Sequence, residues 1–211
     1  MSYISLLIHD IIVLITIFNP IAAASIMLGI VDSEKDIKAI ATRASITLLI
    51  AALVTLYGGD LIFKLFGINL LSLKVIGGVI LMIMAVNMIY GEGAKFRHSK
   101  EEASEAQEKD DISIVPLAIP ILFGPGAIAT IVVLMHNNLK VVSSHWSYIL
   151  LTLSIIISAA IVYWILKNAI VINRVLGVSG IKILNRVMGL IVGAIAAQFL
   201  VAGIKGLWVS Y

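Results

Sequence analysis

Two hydrophobic segments share one pattern: Phe18-Asn19-Pro20-Ile21-Ala22-Ala23-Ala24-Ser25-Ile26 and Phe123-Gly124-Pro125-Gly126-Ala127-Ile128-Ala129-Thr130-Ile131. Phenylalanine, proline, alanine, a hydroxyl residue and isoleucine recur in them at a constant offset of 105 residues. All four prolines of the 211-residue chain lie in the two longer apolar stretches, 4–31 and 113–135, that contain these segments. Because proline lacks an amide hydrogen and clashes with the preceding helical turn, each segment should be a helix that is broken at this pattern.

The composition predicts a membrane protein. The chain is 61% hydrophobic and only 13% charged, and its mean hydropathy is +1.10. Apolar segments long enough to cross a bilayer lie at 4–31, 39–63, 69–90, 113–135, 146–167 and 183–208. Lipid offers the backbone no hydrogen bonds, so such segments must be helical. The sequence therefore predicts an all-α membrane protein with six transmembrane helices.

The positive charge of the chain follows the predicted topology. Eleven of the fifteen Lys and Arg residues fall in the connections after the first, third and fifth segments. Cytoplasmic loops of membrane proteins carry this excess. We therefore expect the N- and C-termini outside and the charged 92–112 loop in the cytoplasm, and we expect no nucleic-acid partner despite the net charge of +3.

The chain divides into two similar halves. Residues 1–91 form a first three-helix repeat, residues 92–112 a charged linker, and residues 113–211 a second repeat. Gly78 matches Gly189 and Asn87 matches Gln198, both at an offset of 111. Because three helices are an odd number, the second repeat should lie inverted relative to the first, as in many secondary transporters.

The two breaks predict a binding site at mid-membrane. Asn19 and Gly124 precede prolines at a position that favours the start of a new helix. Each new start presents unpaired N–H groups and the positive end of a helix dipole, which attract a carboxylate. The carbonyls of Thr16 and Ile121, left without a donor by the prolines, could receive an ammonium group. The primary candidates for binding a small zwitterion are Asn19, Pro20, Gly124, Pro125 and Gly126.

Secondary candidates are the polar residues near these breaks or at matched depth in the third and sixth helices: Thr16, Ser25, Thr130, Asn87 and Gln198. The amides of Asn87 and Gln198 should point inward because amides are costly in lipid. They either line a cavity as a pseudo-symmetric pair or join helices by hydrogen bonds. Proline kinks are also tolerated in membrane helices that bind no ligand, which is the alternative for the breaks themselves.

Catalytic and metal-binding patterns are missing from the sequence. The chain has no cysteine, and its His, Asp and Glu residues form no cluster with the spacing of metal ligands or paired catalytic acids. We expect no charged side chain at mid-depth of a helix. Asp10 and Asp60 are expected near the external face, where they either gate the outer opening or simply lie at the interface. The sequence predicts no enzyme, cofactor or metal site.

The stretch from Pro116 to Thr130, with Asn19-Pro20-Ile21, Gly77-Gly78 and Met188-Gly189-Leu190, resembles the MarC/SnatA family of six-helix inner-membrane proteins. The resemblance covers the whole chain. This sequence differs from the family pattern at Ala22 and Ala24, in the region where the family has a glycine and, soon after, a second proline. The resemblance implies an inner-membrane location and transport of small neutral amino acids such as glycine or alanine.

The leading hypothesis is a secondary transporter in which the two repeats rock around a mid-membrane site. The alternatives are a channel or passive exporter of small solutes, and a membrane scaffold that transports nothing. Coupling to H+ or Na+ is left open, as is the assembly of the chain into a homo-oligomer.

Overall fold

The computed structural model describes residues 2–31, 34–90 and 113–210, and every regular element in these ranges is helical. The eight helices are α1 (Tyr3–Phe18), α2 (Pro20–Ile30), α3 (Glu34–Leu65), α4 (Leu70–Tyr90), α5 (Ser113–Leu122), α6 (Pro125–Asn138), α7 (Ser144–Lys167) and α8 (Ala169–Ser210). The prediction of an all-α membrane protein is confirmed. The predicted 92–112 linker lies outside the described residues, so the division into two repeats stays a prediction.

Five helical stretches in the described ranges are long and apolar enough to cross a membrane. They are Tyr3–Gly29, Asp36–Leu65, Leu70–Tyr90, Ser144–Lys167 and Ala169–Val209. The first of them combines α1 and α2. The predicted fourth segment, 113–135, is instead divided into α5 and α6 by Phe123 and Gly124, and neither part is long enough alone. The structure thus has both predicted breaks, at Asn19 and at Gly124.

The short α5 helix is wound more widely than an α-helix, with bonds of the π type. The N–H of Phe123 donates to the carbonyl of Ala118, five residues earlier, at 2.8 Å. Pro116 and Pro120 lie in this helix and have no N–H to donate. Wider winding is a common local answer to a missing bond in the regular ladder.

Helix α8 begins earlier than the sequence predicts. Residues 169–182 were expected in a connection, but the helix runs from Ala169 and is interrupted only at Gly177, whose φ of 60° and ψ of 178° are not helical. Glycine reaches this positive φ without a Cβ clash. Lys182 and Arg186, expected in or beside the connection, therefore lie on the long helical part of α8 beyond Gly177.

Helices α4 and α8 form the most extensive helix pair and run antiparallel. A Cβ at Gly78 of α4 would stand 2.9 Å from the carbonyl oxygen of Ala196 in α8. A Cβ at Gly189 of α8 would stand 3.0 Å from the carbonyl oxygen of Ala85 in α4. Close approach of backbones over small residues is how membrane helices pack, because lipid supplies no hydrophobic drive between them.

The remaining helices pack around the two breaks. Helix α1 lies parallel to α7: the rings of Tyr3 and Trp146 are 5.1 Å apart, and Ser154 Oγ donates to the carbonyl of Leu7 at 3.4 Å. Helix α3 packs against α5, α6 and α7. Large apolar side chains such as Ile4 and Leu190 are 71% and 65% exposed, as expected of a surface that faces lipid.

Candidate functional site

The first break is made by Asn19 in the left-handed conformation. Its φ is 46° and its ψ is 60°, and its N–H closes α1 by donating to the carbonyl of Ile15 at 3.0 Å. Helix α2 then starts at Pro20, whose fixed φ and missing N–H suit the first helical position. Asn is one of the few residues with a side chain that visits this conformation readily.

The second break has a different backbone. Gly124 is extended, with φ −103° and ψ −179°, and α6 starts at Pro125. The carbonyl of Gly124 accepts from the N–H groups of Ala127 and Ile128 at 2.9 and 3.3 Å. Helix α6 therefore begins with the first-turn hydrogen bonds of a regular helix start.

The two breaks lie side by side. The rings of Phe18 and Phe123, which precede the two break residues and match at the offset of 105, have centroids 6.5 Å apart. Both phenylalanines are buried. The two breaks are therefore close to one another inside the helix bundle.

A cavity of about 510 Å³ lies beside the breaks and is lined by residues of both. Asn19 and Ser25 come from the first break and the helix after it, and Gly124, Pro125 and Gly126 come from the second. Helix α4 adds Asn87 and apolar side chains such as Met84 and Met88. The volume lies within the usual range of small-molecule sites.

The wall between α6 and α4 depends on Gly126. A Cβ at this position would stand 2.8 Å from Leu81 Cδ2, so any larger residue would displace Leu81 or push α6 away from α4. The sequence predicts Gly126 as a primary candidate for substrate binding. In the structure its main role is this close approach, since α6 is regularly helical from Pro125 onward.

At one end the cavity is lined by cations. Lys182, Asn185 and Arg186 of α8 line it there, next to Tyr90 at the end of α4, and no acidic residue lines it within the described ranges. We call this the Arg186 end of the molecule. Asn185 Oδ1 is buried and accepts no hydrogen bond from the described residues, so it remains available to a donor on a ligand. The sequence does not single out these three residues, because their approach to the cavity depends on the packing of α8 against α4.

Six of the predicted site residues line the cavity: Asn19, Ser25, Asn87, Gly124, Pro125 and Gly126. Asn19 is buried, and its Nδ2 donates weakly to Met88 Sδ at 3.8 Å, which joins the break to α4. Ser25 Oγ donates to the carbonyl of Ile21 at 3.1 Å, so its oxygen lone pairs stay free to accept.

Four predicted residues are not among the cavity-lining residues. Pro20 is buried behind the break. Thr16 and Thr130 are buried, and each hydroxyl donates to the carbonyl four residues earlier, Ile12 and Gly126 respectively, at 2.7 Å. These bonds occupy the hydroxyl hydrogens within their own helices. The expected use of the Thr16 and Ile121 carbonyls is also unsupported, because neither residue lines the cavity.

The fourth of these residues is Gln198. Its position contradicts the expectation that the amides of Asn87 and Gln198 both point inward. Asn87 lines the cavity, but Gln198 is exposed on the outer surface of α8. The matched positions of the two amides do not give matched surroundings, because α8 is turned so that Ala196 and Phe199 are its buried residues in this region.

The opposite end of the molecule contains a buried carboxylate. Asp10, in the middle of α1, has a relative exposure of 0%. Asn138 Nδ2 at the end of α6 donates to its Oδ2 at 2.6 Å, and His9 Nδ1 lies 3.1 Å from its Oδ1. We call this the Asp10 end. The carboxylate lies inside the helix bundle and not on its surface, while its depth relative to the membrane interface stays a prediction.

Asp60 lies at the same end and is partly exposed. Its side chain is 43% exposed and pairs with Lys64 of the same helix at 2.6 Å. His136 Nε2 of α6 lies 3.5 Å from Asp60 Oδ1, while its Nδ1 is 2.9 Å from the carbonyl of Val132. In the described ranges no three His, Asp and Glu residues come together as a metal site would require.

The sequence model described as MarC family integral membrane protein matches residues 4–208. The chain is 33% identical to the UPF0056 membrane protein YvbG of Bacillus subtilis over 97% of this chain and 96% of that protein. It is 33% identical to a UPF0056 membrane protein of Aquifex aeolicus, and 30% identical to the UPF0056 membrane protein YhcE of Escherichia coli, each over 92% of this chain and 90% of the relative. No solved structure matches.

Proposed function

Because the chain belongs to the MarC family of integral membrane proteins, we propose that it is a secondary transporter of small neutral amino acids that works by alternating access. One observation carries the proposal: two helices that start inside the bundle, α2 and α6, begin beside the same cavity, which Asn19, Gly124 and Pro125 line. Broken helices with starts at mid-membrane are the usual form of a transporter's substrate site.

The lining groups suit the two ends of an amino acid. The substrate carboxylate faces the N–H groups at the starts of α2 and α6, and Lys182 and Arg186 attract it from the open end. The ammonium group donates to oxygens of the cavity wall, for which Asn185 Oδ1 and Ser25 Oγ are the available acceptors. The cavity exceeds the volume of glycine or alanine, so the substrate occupies its inner part and water fills the rest.

The arrangement of six spans as two inverted repeats belongs to the same proposal. It is supported by contacts between residues that correspond to each other in the two repeats. Two close glycine contacts of α4 and α8, Gly78 with Ala196 and Gly189 with Ala85, exchange into one another at the offset of 111. The Phe18–Phe123 contact joins two residues that correspond at the offset of 105. Contacts of this reciprocal kind are expected across a pseudo-two-fold axis.

We assign the Arg186 end to the cytoplasm and the Asp10 end to the outside, from the distribution of Lys and Arg. In this orientation the cavity opens inward, while α1 and α6 close it outward through Asp10 and Asn138. An inward-open state with one closed gate is the state of a carrier, whereas a channel would need a continuous path.

The test is counterflow of labelled glycine and alanine in proteoliposomes. We expect saturable exchange that unlabelled substrate accelerates from the opposite side. Asn87→Ala should weaken apparent affinity by about tenfold if it removes one hydrogen bond to a charged group. The matched control is Gln198→Ala, which removes a similar amide from outside the cavity and should leave exchange unchanged.

Other outcomes identify the alternatives. Flux that never saturates and carries current would mean a channel. Absence of flux for every small amino acid in both directions, in a protein that is folded and inserted, would remove the transport proposal and favour a scaffold.

A further inference from the structure

Asp10 is a charged side chain in an unusual place. It lies about 10 Å along α1 from Tyr3 at 1.5 Å per residue, inside an apolar membrane-spanning helix, and it is fully buried. Ionisable groups within membrane helices are costly and therefore mark ion or proton paths more often than they serve packing alone. The proposed substrate site does not use it.

The carboxylate joins two elements that must separate for outward opening. Its partner Asn138 is the last residue of α6, while Asp10 belongs to α1, so the 2.6 Å bond ties the half-helix before the first break to the half-helix after the second. A bond of this length to an ionised carboxylate is of the strong, charge-assisted kind. The same bond to a neutral carboxylic acid is weaker, because only its carbonyl oxygen accepts well.

His9 connects this carboxylate with the outer surface of the helix bundle. Its Nδ1 is 3.1 Å from Asp10 Oδ1, while its side chain is 51% exposed. A proton from outside binds to His9 Nε2, and the Nδ1 proton then passes to Asp10 Oδ1. The result is a neutral His9 with its proton on Nε2 and a neutral Asp10. The transfer adds one proton to the pair and needs no other reactant.

The helices that contact α1 carry several other titratable groups. Helices α6 and α7 pack against α1, and α5 and α8 touch it less. Helix α6 brings Asn138 to Asp10, and its His136 is turned toward Asp60 of α3. Helix α5 has no titratable side chain. The titratable groups of α7 are His145, Tyr148, Tyr163 and Lys167, and those of α8 are Arg174, Lys182, Arg186 and Lys205. Among the described residues, Asn138 and His9 are the hydrogen-bond partners of the carboxylate.

We propose that Asp10 is a proton-binding site: its ionised form holds α1 and α6 together at the outside, and its protonation lets them part. The coupling of this proton to a substrate rests on the proposed transport function. The gate itself does not, because it concerns only two conformations of the protein and the proton.

The experiment uses the absence of cysteine in the chain, which makes any introduced cysteine the single labelling site. Leu14→Cys lies one turn beyond Asp10 on the same buried face of α1 and has 0% exposure in this state. Ser25→Cys lies in the cavity, and Ser144→Cys is exposed at the start of α7. Each purified variant is placed in lipid nanodiscs without substrate and reacted with a water-soluble maleimide between pH 5 and pH 8.

All rates are divided by that of Ser144→Cys, which corrects for the ionisation of the thiol itself. We expect acid to raise the relative rate at Leu14→Cys by about tenfold, the factor for one weakened charge-assisted bond, and to lower it at Ser25→Cys. Asp10→Asn, which imitates the protonated acid, should give the acid pattern at every pH. Asn138→Ala should do the same, and it covers the case in which Asp10→Asn does not fold.

The variant His9→Gln tests whether His9 carries the proton to Asp10, separately from whether Asp10 binds it. It should slow the response to a pH jump while leaving the final rates at pH 5 and pH 8 as in the parent protein.

Three results would overturn the proposal. Labelling at Leu14→Cys that is independent of pH and of Asp10→Asn would remove the gate. A rise at both Leu14→Cys and Ser25→Cys would mean general loosening and not alternating access. A response to sodium chloride at constant pH, absent with potassium chloride, would replace the proton by a metal cation. Because no substrate is used, a failure of amino-acid transport leaves these results readable, and a failed gate leaves the transport test readable.

Discussion

The two chain breaks look alike in sequence and differ in backbone. At the first, Asn19 has φ 46° and ψ 60°, a left-handed conformation that costs most side chains free energy. At the second, Gly124 has φ −103° and ψ −179°, which any residue can adopt. The strained position is thus occupied by asparagine and the relaxed one by glycine. The comparison teaches that a similar pattern can end a helix by two different turns, and that glycine at a break is not by itself a sign of positive φ.

Glycine is needed two residues later, at Gly126. The largest effect is therefore expected from Gly126→Leu, because a Cβ would already stand 2.8 Å from Leu81 Cδ2. Overpacking of this kind costs about 1–3 kcal/mol, and the added side chain would also fill the cavity. We expect loss of counterflow and a lowered melting temperature in detergent.

Gly126→Ala is the matched control. The contact is with the end of a flexible side chain, so Leu81 can turn away and this variant should keep most activity. The double variant Gly126→Leu with Leu81→Ala should recover part of the stability. If Gly126→Leu is as stable as the parent protein, α6 and α4 do not meet as described.

The next largest effect is expected at Lys182 and Arg186. These two cations line the cavity, and both lie in the second half of the chain. Replacing Lys182 and Arg186 together by Gln should raise the apparent Km for glycine counterflow by roughly tenfold or more, since a hydrogen bond between charged groups contributes about 1.5–3 kcal/mol. The maximal rate should change less. Lys205→Gln, on the same helix but outside the cavity lining, is the control and should behave like the parent protein. Equal Km values in both variants would mean that the carboxylate does not meet these cations.

The sequence predicted the helical class and the position of both breaks because these depend on local chemistry. An apolar segment in lipid must be helical, and Pro20 and Pro125 each interrupt the helical segment in which they lie. It could not predict how each helix is rotated. Successive residues point about 100° apart on a helix, so a small turn of α8 moves Gln198 from the cavity to the surface. The matched offset of Asn87 and Gln198 contained no information on that rotation.

Burial of Asp10 was also beyond the sequence, for a different reason. The partner that binds its carboxylate, Asn138, is 128 residues away in the chain. A single Asp in an apolar segment is expected at the interface unless a partner exists, and only the packing of α6 against α1 supplies one. The same holds for Lys182 and Asn185, whose approach to the cavity follows from the antiparallel pairing of α4 and α8.

A smaller effect is expected at the first break, where two substitutions of Asn19 distinguish the role of its backbone conformation from that of its side chain. Asn19→Ala and Asn19→Gly both remove the amide from the cavity, but only alanine is strained at φ 46°. We expect the glycine variant to be about 1 kcal/mol more stable than the alanine variant by thermal unfolding in detergent, while both bind glycine equally weakly. Equal stability of the two variants would mean that Asn19 is not left-handed.

The smallest effect is expected at Gly124, and it tests the comparison most directly. Gly124→Ala needs no change of dihedral angle, and its Cβ would stand 3.1 Å from the carbonyl oxygen of Pro120, a contact that a small shift relieves. The change in unfolding free energy should stay below about 1 kcal/mol, and substrate affinity should be nearly unchanged, because the N–H groups at the start of α6 are kept. If Gly124→Ala instead costs as much as Asn19→Ala, the second break also depends on glycine's freedom. The two turns would then be equivalent in solution, with Gly124 spending its time in a conformation other than the extended one.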